Sequence, residues 1–214
     1  MSNLGQNFLK LIDLGSPGLG VEDVVIAAHL RELAGTLAEE LVEVLRKKNG
    51  TYIFHSALHI FPAQTSSNSV GLDEWNDNKG WRSEYGDLAD GCLFFSEDLF
   101  GSQFCIKSNA IWSFDPETAE MQFIGKNFDA WAKEVLDDYR VLTGQPLALA
   151  WQQSHGALPA GKRLVPKVPF VCGGAFELSN LILMDAERGM RLRGQLASQI
   201  RDLPDGTKIR FVIE

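Results

Sequence analysis

The chain is short of the residues that staple, anchor or cleave. Its three cysteines, Cys92, Cys105 and Cys172, are odd in number, far apart and outside any CxxC pair. That excludes a disulfide scaffold or zinc ribbon, and it points to free buried thiols in a reducing cytoplasm. No uncharged apolar run reaches the roughly 18 residues a membrane helix needs. The opening MSNLGQNFLKLIDLGSPGLG lacks a basic region followed by an apolar one, so no secretory signal is expected. Nucleophile elbows of the GxSxG type and HExxH boxes are missing, and Gly173-Gly174 lacks the third glycine and the lysine of a phosphate loop. His55 and His59 stand four residues apart, but YIFHSALHIF has the composition of a strand. They read as partly buried histidines, and with His29 and His155 elsewhere no three-ligand set is visible. No metal, cofactor or catalytic residue is expected.

What is present suits one soluble domain, or one domain with an appended subdomain. Of 214 residues, 45% are apolar and 22% charged, enough to bury a substantial core. The net charge of −8 is uneven, because residues 71–101 hold eight acids against two bases, whereas residues 160–214 hold six acids against nine bases. Such an acidic surface repels nucleic acid and steers a basic protein towards itself.

Apolar residues from Val21 to Leu45 recur at helical spacing and predict a helix over 21–48, with a break possible at Gly35 and a stop at Asn49-Gly50. TYIFHSALHIFPA then reads as an extended segment, followed by a polar loop and an irregular stretch to residue 90. Four short strands follow at 91–95, 101–107, 110–114 and 120–124, with Ser96-Glu97-Asp98 and Asp115-Pro116-Glu117-Thr118 as turns. Their connections are too short for crossovers, so the strands must form an antiparallel meander. Asn127 caps the next helix, whose apolar face is Phe128, Trp131, Val135, Leu136 and Tyr139. Gly144-Gln145-Pro146 marks a boundary between residues 1–144 and a smaller α/β extension over 145–214. That extension carries a short helix over 147–153, an edge strand near VPKVPFVCGG, a strand over 178–184, a helix from 185 or 186 to about 202, and a closing strand TKIRFVIE.

One segment mixes large rings with carboxylates: Asp73, Glu74, Trp75, Asp77, Trp81, Glu84, Tyr85, Asp87 and Asp90. Three readings compete for it. Its aromatics could be pinned to the core of an ordinary solvated loop. They could anchor a protein partner that the carboxylates steer. Two carboxylates could also converge for hydrolysis or metal-assisted chemistry. The partner-binding set taken forward is Asp73, Glu74, Trp75, Asp77, Trp81, Glu84, Asp87 and Asp90.

The helix ending in RKKNGTYIFHSALHIFPA and the meander GCLFFSEDLFGSQFCIKSNAIWSFDPETAEMQFIGKNFDAWAKEVLDDY together resemble the SUKH superfamily. That superfamily includes fungal cell-wall assembly regulators and bacterial proteins encoded beside polymorphic toxins. The resemblance covers residues 20–143 and rests on a helix leading into Asn-Gly, aromatic strands, and a closing helix of the FxxW kind. It implies an α+β fold with an antiparallel or mixed sheet packed by helices. It also implies a binding role, commonly immunity against a delivered toxin or effector such as a nuclease or deaminase, and carries no common catalytic residues. The insertion at 63–90 and the C-terminal 70 residues depart from the basic unit. The expectation is therefore a cytoplasmic, non-enzymatic immunity protein that occludes a basic toxin surface. A scaffold or regulatory module is the alternative, and a carboxylate-dependent hydrolase comes third.

Overall fold

The structure, a computed structural model, describes residues 4–67, 69–204 and 206–207. Its centre is a six-stranded antiparallel sheet in simple meander order. Helix α1 (Gln6–Asp13) comes first, then α2 (Ala28–Ala34), a single 3₁₀ turn at Gly35–Leu37, and α3 (Ala38–Lys47). Strands β1 (Thr51–Ile53) and β2 (Leu58–Ile60) follow, and then a one-turn helix α4 (Leu72–Trp75) with 3₁₀ turns at Trp81–Glu84 and Gly86–Ala89. The rest of the meander is β3 (Leu93–Asp98), β4 (Gln103–Lys107), β5 (Ala110–Phe114) and β6 (Met121–Gly125), closed by α5 (Phe128–Asp137) and the single turn α6 (Tyr139–Leu142). The α+β class and the antiparallel meander stand as expected.

Helices α1, α2, α3 and α5 form a layer on one face of the sheet. Phe95 and Phe104 present that face, with ring centroids 5.1 and 5.6 Å from Trp131 of α5. Asn127 caps α5 by accepting the Ala130 N–H at 2.9 Å, as its position predicts. One residue into the helix, Asp129 accepts the main-chain N–H groups of Asn7 and Phe8 at 2.8 and 3.1 Å. It thereby places a carboxylate at the start of α1, where the free N–H groups need one.

Three local expectations are corrected. The helix expected from residue 21 begins only at Ala28, after Val21, Val24 and Val25, while the break named at Gly35 is present, with that residue at φ +56°. The extended segment 51–63 is a hairpin. Its turn holds Phe54, His55 and Ser56 at φ 54°, 59° and 61°, a left-handed run with none of the glycine or asparagine that normally announces one. Finally, Ser96-Glu97-Asp98 is the end of β3 and not a turn.

The C-terminal extension consists of α7 (Gln145–His155), a two-stranded antiparallel sheet of β7 (Lys162–Pro166) and β8 (Leu181–Asp185), and α8 (Ala186–Ile200). The edge strand thus lies earlier than VPKVPFVCGG suggested. Pro166 is the last paired residue of β7, opposite Leu181, and residues 170–172, just past Pro169, form a 3₁₀ turn instead. A second core of Leu99, Phe100, Ala148, Trp151, Leu164 and Leu181 joins the extension to the β3–β4 turn. The expected strand TKIRFVIE falls, from residue 208 onward, outside the described residues.

Candidate functional site

A ladder of side chains crosses the second face of the sheet. Tyr52 is opposite His59, His59 opposite Glu97, Glu97 opposite Gln103, and Gln103 opposite Phe114. Residues directly opposite in antiparallel strands share a face, so these five side chains form one row over β1 to β5. A β-bulge between Phe94 and Ser96 makes this possible. Phe94 also lies on this face, with its ring 5.2 Å from Phe114. Strict alternation would send Glu97 to the opposite side, and the extra residue re-aims it.

The row is polar and buried. His59 Nδ1 is 3.1 Å from Glu97 Oε1, and His59 Nε2 is 2.9 Å from Ser69 Oγ. The Tyr52 ring stacks on the imidazole at 4.3 Å. From the extension, Arg163 of β7 brings Nη2 to within 2.8 Å of Glu97 Oε1, with its guanidinium 5.6 Å from the Tyr52 ring. Arg163 is 0% and Glu97 1% exposed, so neither charge has water as a substitute partner. Burial opposes ionisation of Glu97, but the Arg163 charge and the His59 N–H outweigh it and hold the carboxyl below its ordinary range. An ionised Glu97 requires the proton of His59 on Nδ1, and Nε2 then accepts from Ser69.

The order Ser69–His59–Glu97 matches the connectivity of a hydrolytic triad. Its electrostatics do not favour that use. Burial depresses the imidazole to about 4, which makes it a weak proton acceptor. The carboxylate that would strengthen it is neutralised by Arg163. The arrangement instead ties together four separated parts of the chain: β2, β3, the 63–90 excursion and β7.

The excursion lies over the same face. Trp75 and Trp81, expected as exposed anchors for a partner, are 3% and 1% exposed, which corrects their assignment. Trp75 donates Nε1–H to Gln103 Oε1 at 2.9 Å. Phe61, Trp75, Trp81 and Tyr85 then run as a chain of rings 4.8, 5.6 and 5.4 Å apart. Burying such rings stabilises the excursion more than any surface contact could. Asn76 completes the docking by accepting the Phe94 N–H and donating to its carbonyl at 2.8 and 2.9 Å. The acids face outward. Asp73, Glu74, Asp77, Asp87 and Asp90 are exposed and Glu84 is half-buried.

Part of this acidity is answered within the chain. Arg201, just beyond α8, reaches Asp87 at 2.6 Å, and Arg191 of α8 reaches Glu84 at 3.6 Å. His29 lies 3.4 Å from Asp73. Glu74 and Asp77 sit with Lys79 and Arg188 on the rim of a cavity of about 620 Å³, whose floor includes His59, Trp81 and Glu97. Among the described residues, no group of three or more His, Cys, Asp or Glu side chains could hold a metal. No helix among them is long and apolar enough to cross a membrane. Sequence reasoning missed the His59–Glu97–Arg163 network. The available signal was an acidic pair inside a run of strand-forming residues.

A six-stranded antiparallel meander, layered by helices on one face and carrying a buried polar row on the other, defines an α+β protein of the SUKH kind. The chain belongs to the SMI1 / KNR4 family (SUKH-1), whose model matches residues 20–134. Membership is compatible with a non-enzymatic immunity or regulatory domain. Comparison with curated proteins returns no match. Among solved structures, the crystal structure of Atu4351 from Agrobacterium tumefaciens is similar in fold, with a TM-score of 0.54 at 10% identity, covering 90% of this chain and 89% of that one. The structural likeness reaches past the family match into the extension.

Two outcomes follow from the buried row. Arg163→Ala strands an ionised Glu97 and lowers unfolding free energy by about 3–5 kcal/mol in urea denaturation, while Arg163→Met combined with Glu97→Gln costs much less. The second concerns acid. His59 titrates near 4 when folded against 6.5 unfolded, so stability falls as pH drops from 6.5 towards 4. Asp98, pushed up by burial to about 7 against 3.8 unfolded, has the opposite effect between pH 7 and 4. Asp98→Asn keeps an oxygen for the Phe100 and Ser102 N–H groups that Asp98 accepts at 2.8 Å. Its stability therefore falls more steeply than wild type between pH 6.5 and 4, by up to about 1.4 kcal/mol per pH unit.

Proposed function

We propose that this protein is a non-enzymatic, cytoplasmic immunity protein that neutralises a cognate toxin or effector by covering a basic surface on it. One observation carries the reading: the 63–90 excursion buries its aromatic residues and turns Asp73, Glu74, Asp77 and Asp90 outward on a rigid frame. A fixed cluster of like charge accelerates encounter with an oppositely charged partner. The partner-facing set is therefore the exposed carboxylates of the expected site, without its two tryptophans. Glu84 and Asp87 contribute less, because arginines of the extension already answer them. In this reading residues 145–214 are a subdomain that backs the excursion, and the boundary at 144 is structural, not functional. The alternative of an intracellular scaffold differs only in the identity of the partner.

The test is association with the product of a neighbouring toxin gene. Charge reversal of Asp73, Glu74 and Asp77 to lysine slows association by roughly tenfold or more at low ionic strength and weakens rescue of growth. Unchanged kinetics would remove the excursion from the mechanism. The weak basicity of His59 gives a companion expectation: hydrolysis of p-nitrophenyl acetate is no faster for wild type than for Ser69→Ala, and a Ser69-dependent burst would restore the hydrolase reading.

A further inference from the structure

A second groove, of about 480 Å³, opens where β4 to β6 meet the extension. Its lining carries four carboxylates, Asp98, Asp115, Glu117 and Glu120, and one cation, Arg193. None of the acids expected to bind a partner belongs to it. Glu117 is only 3% exposed. Its Oε2 accepts the Val171 N–H at 2.8 Å, while Oε1 is buried and has no hydrogen-bond partner. A buried carboxylate oxygen left without a donor is costly, and its position in the wall of a groove indicates where a donor would come from.

Arg193 does not supply it. Its Nε donates to the Gly189 carbonyl at 2.9 Å, and its Nη1 donates to the Phe100 carbonyl. It forms no ion pair among the described residues. With four carboxyl groups against one guanidinium, the lining carries more acid than base. The facing wall is aromatic. Phe176, 62% exposed, stacks on Phe170 at 3.8 Å with 9° between the rings. Phe100 meets both rings edge-on, at 5.5 and 5.8 Å. An exposed ring lining the same groove as a carboxylate with one unpaired oxygen suits a planar cation.

We propose that this groove receives an arginine side chain of a basic protein partner, with the guanidinium donating to Glu117 Oε1 and lying over the Phe176 ring. Arginine fits better than lysine because its fork can donate to a carboxylate in the plane while its face rests on an aromatic ring. The exposed Val141 on the rim offers apolar surface to the side-chain stem. The proposal rests on the binder reading above and adds a specific pocket to it. Family residues supply Glu117 and the extension supplies Phe176, so the site exists only when both are folded.

The test uses the full chain, with N-acetyl-arginine amide, its lysine counterpart and the neutral isostere N-acetyl-citrulline amide as probes in amide NMR titrations. Saturable shifts confined to the neighbourhood of residues 117, 141 and 170–176 are expected for arginine, weaker ones for lysine and none for citrulline. Glu117→Gln, which can keep the Val171 bond, should raise the arginine dissociation constant roughly tenfold. Phe176→Ala, at an exposed position, should narrow the gap between arginine and lysine. Shifts spread evenly over Asp73, Glu74 and Asp77 without saturation would overturn the proposal, as would a well-folded Glu117→Gln with unchanged affinity. Self-association that covers Phe176, seen by sedimentation, would also overturn it. If Glu117→Gln neutralises a cognate partner as well as wild type does, the groove is set aside and the binder reading stands. Saturable arginine binding without any basic protein partner would overturn the partner assignment itself.

Discussion

The buried ion pair between Arg163 and Glu97 is the constraint on which the second face of the sheet depends. A guanidinium and a carboxylate withdrawn from water each carry a desolvation cost of several kcal/mol, which only close and well-oriented partners offset. Glu97 Oε1 has the close charge of Arg163 on β7 and the ring nitrogen of His59, whereas Glu97 Oε2 and Arg163 Nε and Nη2 make no hydrogen bond among the described residues. His59 obtains its second partner from Ser69 in the excursion. Shifting any one of these segments leaves a charge or a ring nitrogen stranded in a dry interior. Apolar contacts around the row are forgiving of small displacements, and the polar row is not. It therefore sets the register between sheet, excursion and extension.

Electrostatics outside the row follow the same division. The strongly acidic stretch and the basic extension are attached to each other, with Arg201 on Asp87 and Arg191 beside Glu84. Exposed pairs of this kind add little stability individually. Their effect is to subtract charge from the surface, so the field that remains comes from a smaller set of carboxylates than a count of acids suggests. Glu97 and Asp98, two of the eight acids in that stretch, are buried and contribute nothing to it.

Much of the fold was legible because its signals are local. Short polar connections made the β3–β6 meander obligatory and Asn127 marked the start of α5, but the helix ends at Asp137, ahead of the stop expected at Gly144, which begins α7 instead. What was missed depends on distant contacts. The turn at Phe54–Ser56 adopts left-handed backbone without the residues that favour it, because Phe54 is packed on Tyr139, ring to ring at 4.7 Å. Glu97 read as part of a turn because nothing nearby predicts an arginine 66 positions later. At Trp75 and Trp81 the sequence is ambiguous, since acidic and aromatic residues in alternation describe an exposed anchor and a pinned loop equally well. Burial decided between them.

The bulge at Phe94–Ser96 has a consequence for synthesis. By placing Glu97 on the same face as His59, it commits the middle of the chain to a partner that is translated much later. Until Arg163 emerges, the nascent sheet holds an acid on a face that its own family core cannot neutralise. The N-terminal three fifths can collapse early around Phe95, Phe128 and Trp131, but the polar face waits. All six strands of the sheet precede the extension in sequence, but the charge that answers Glu97 on its second face comes only after them.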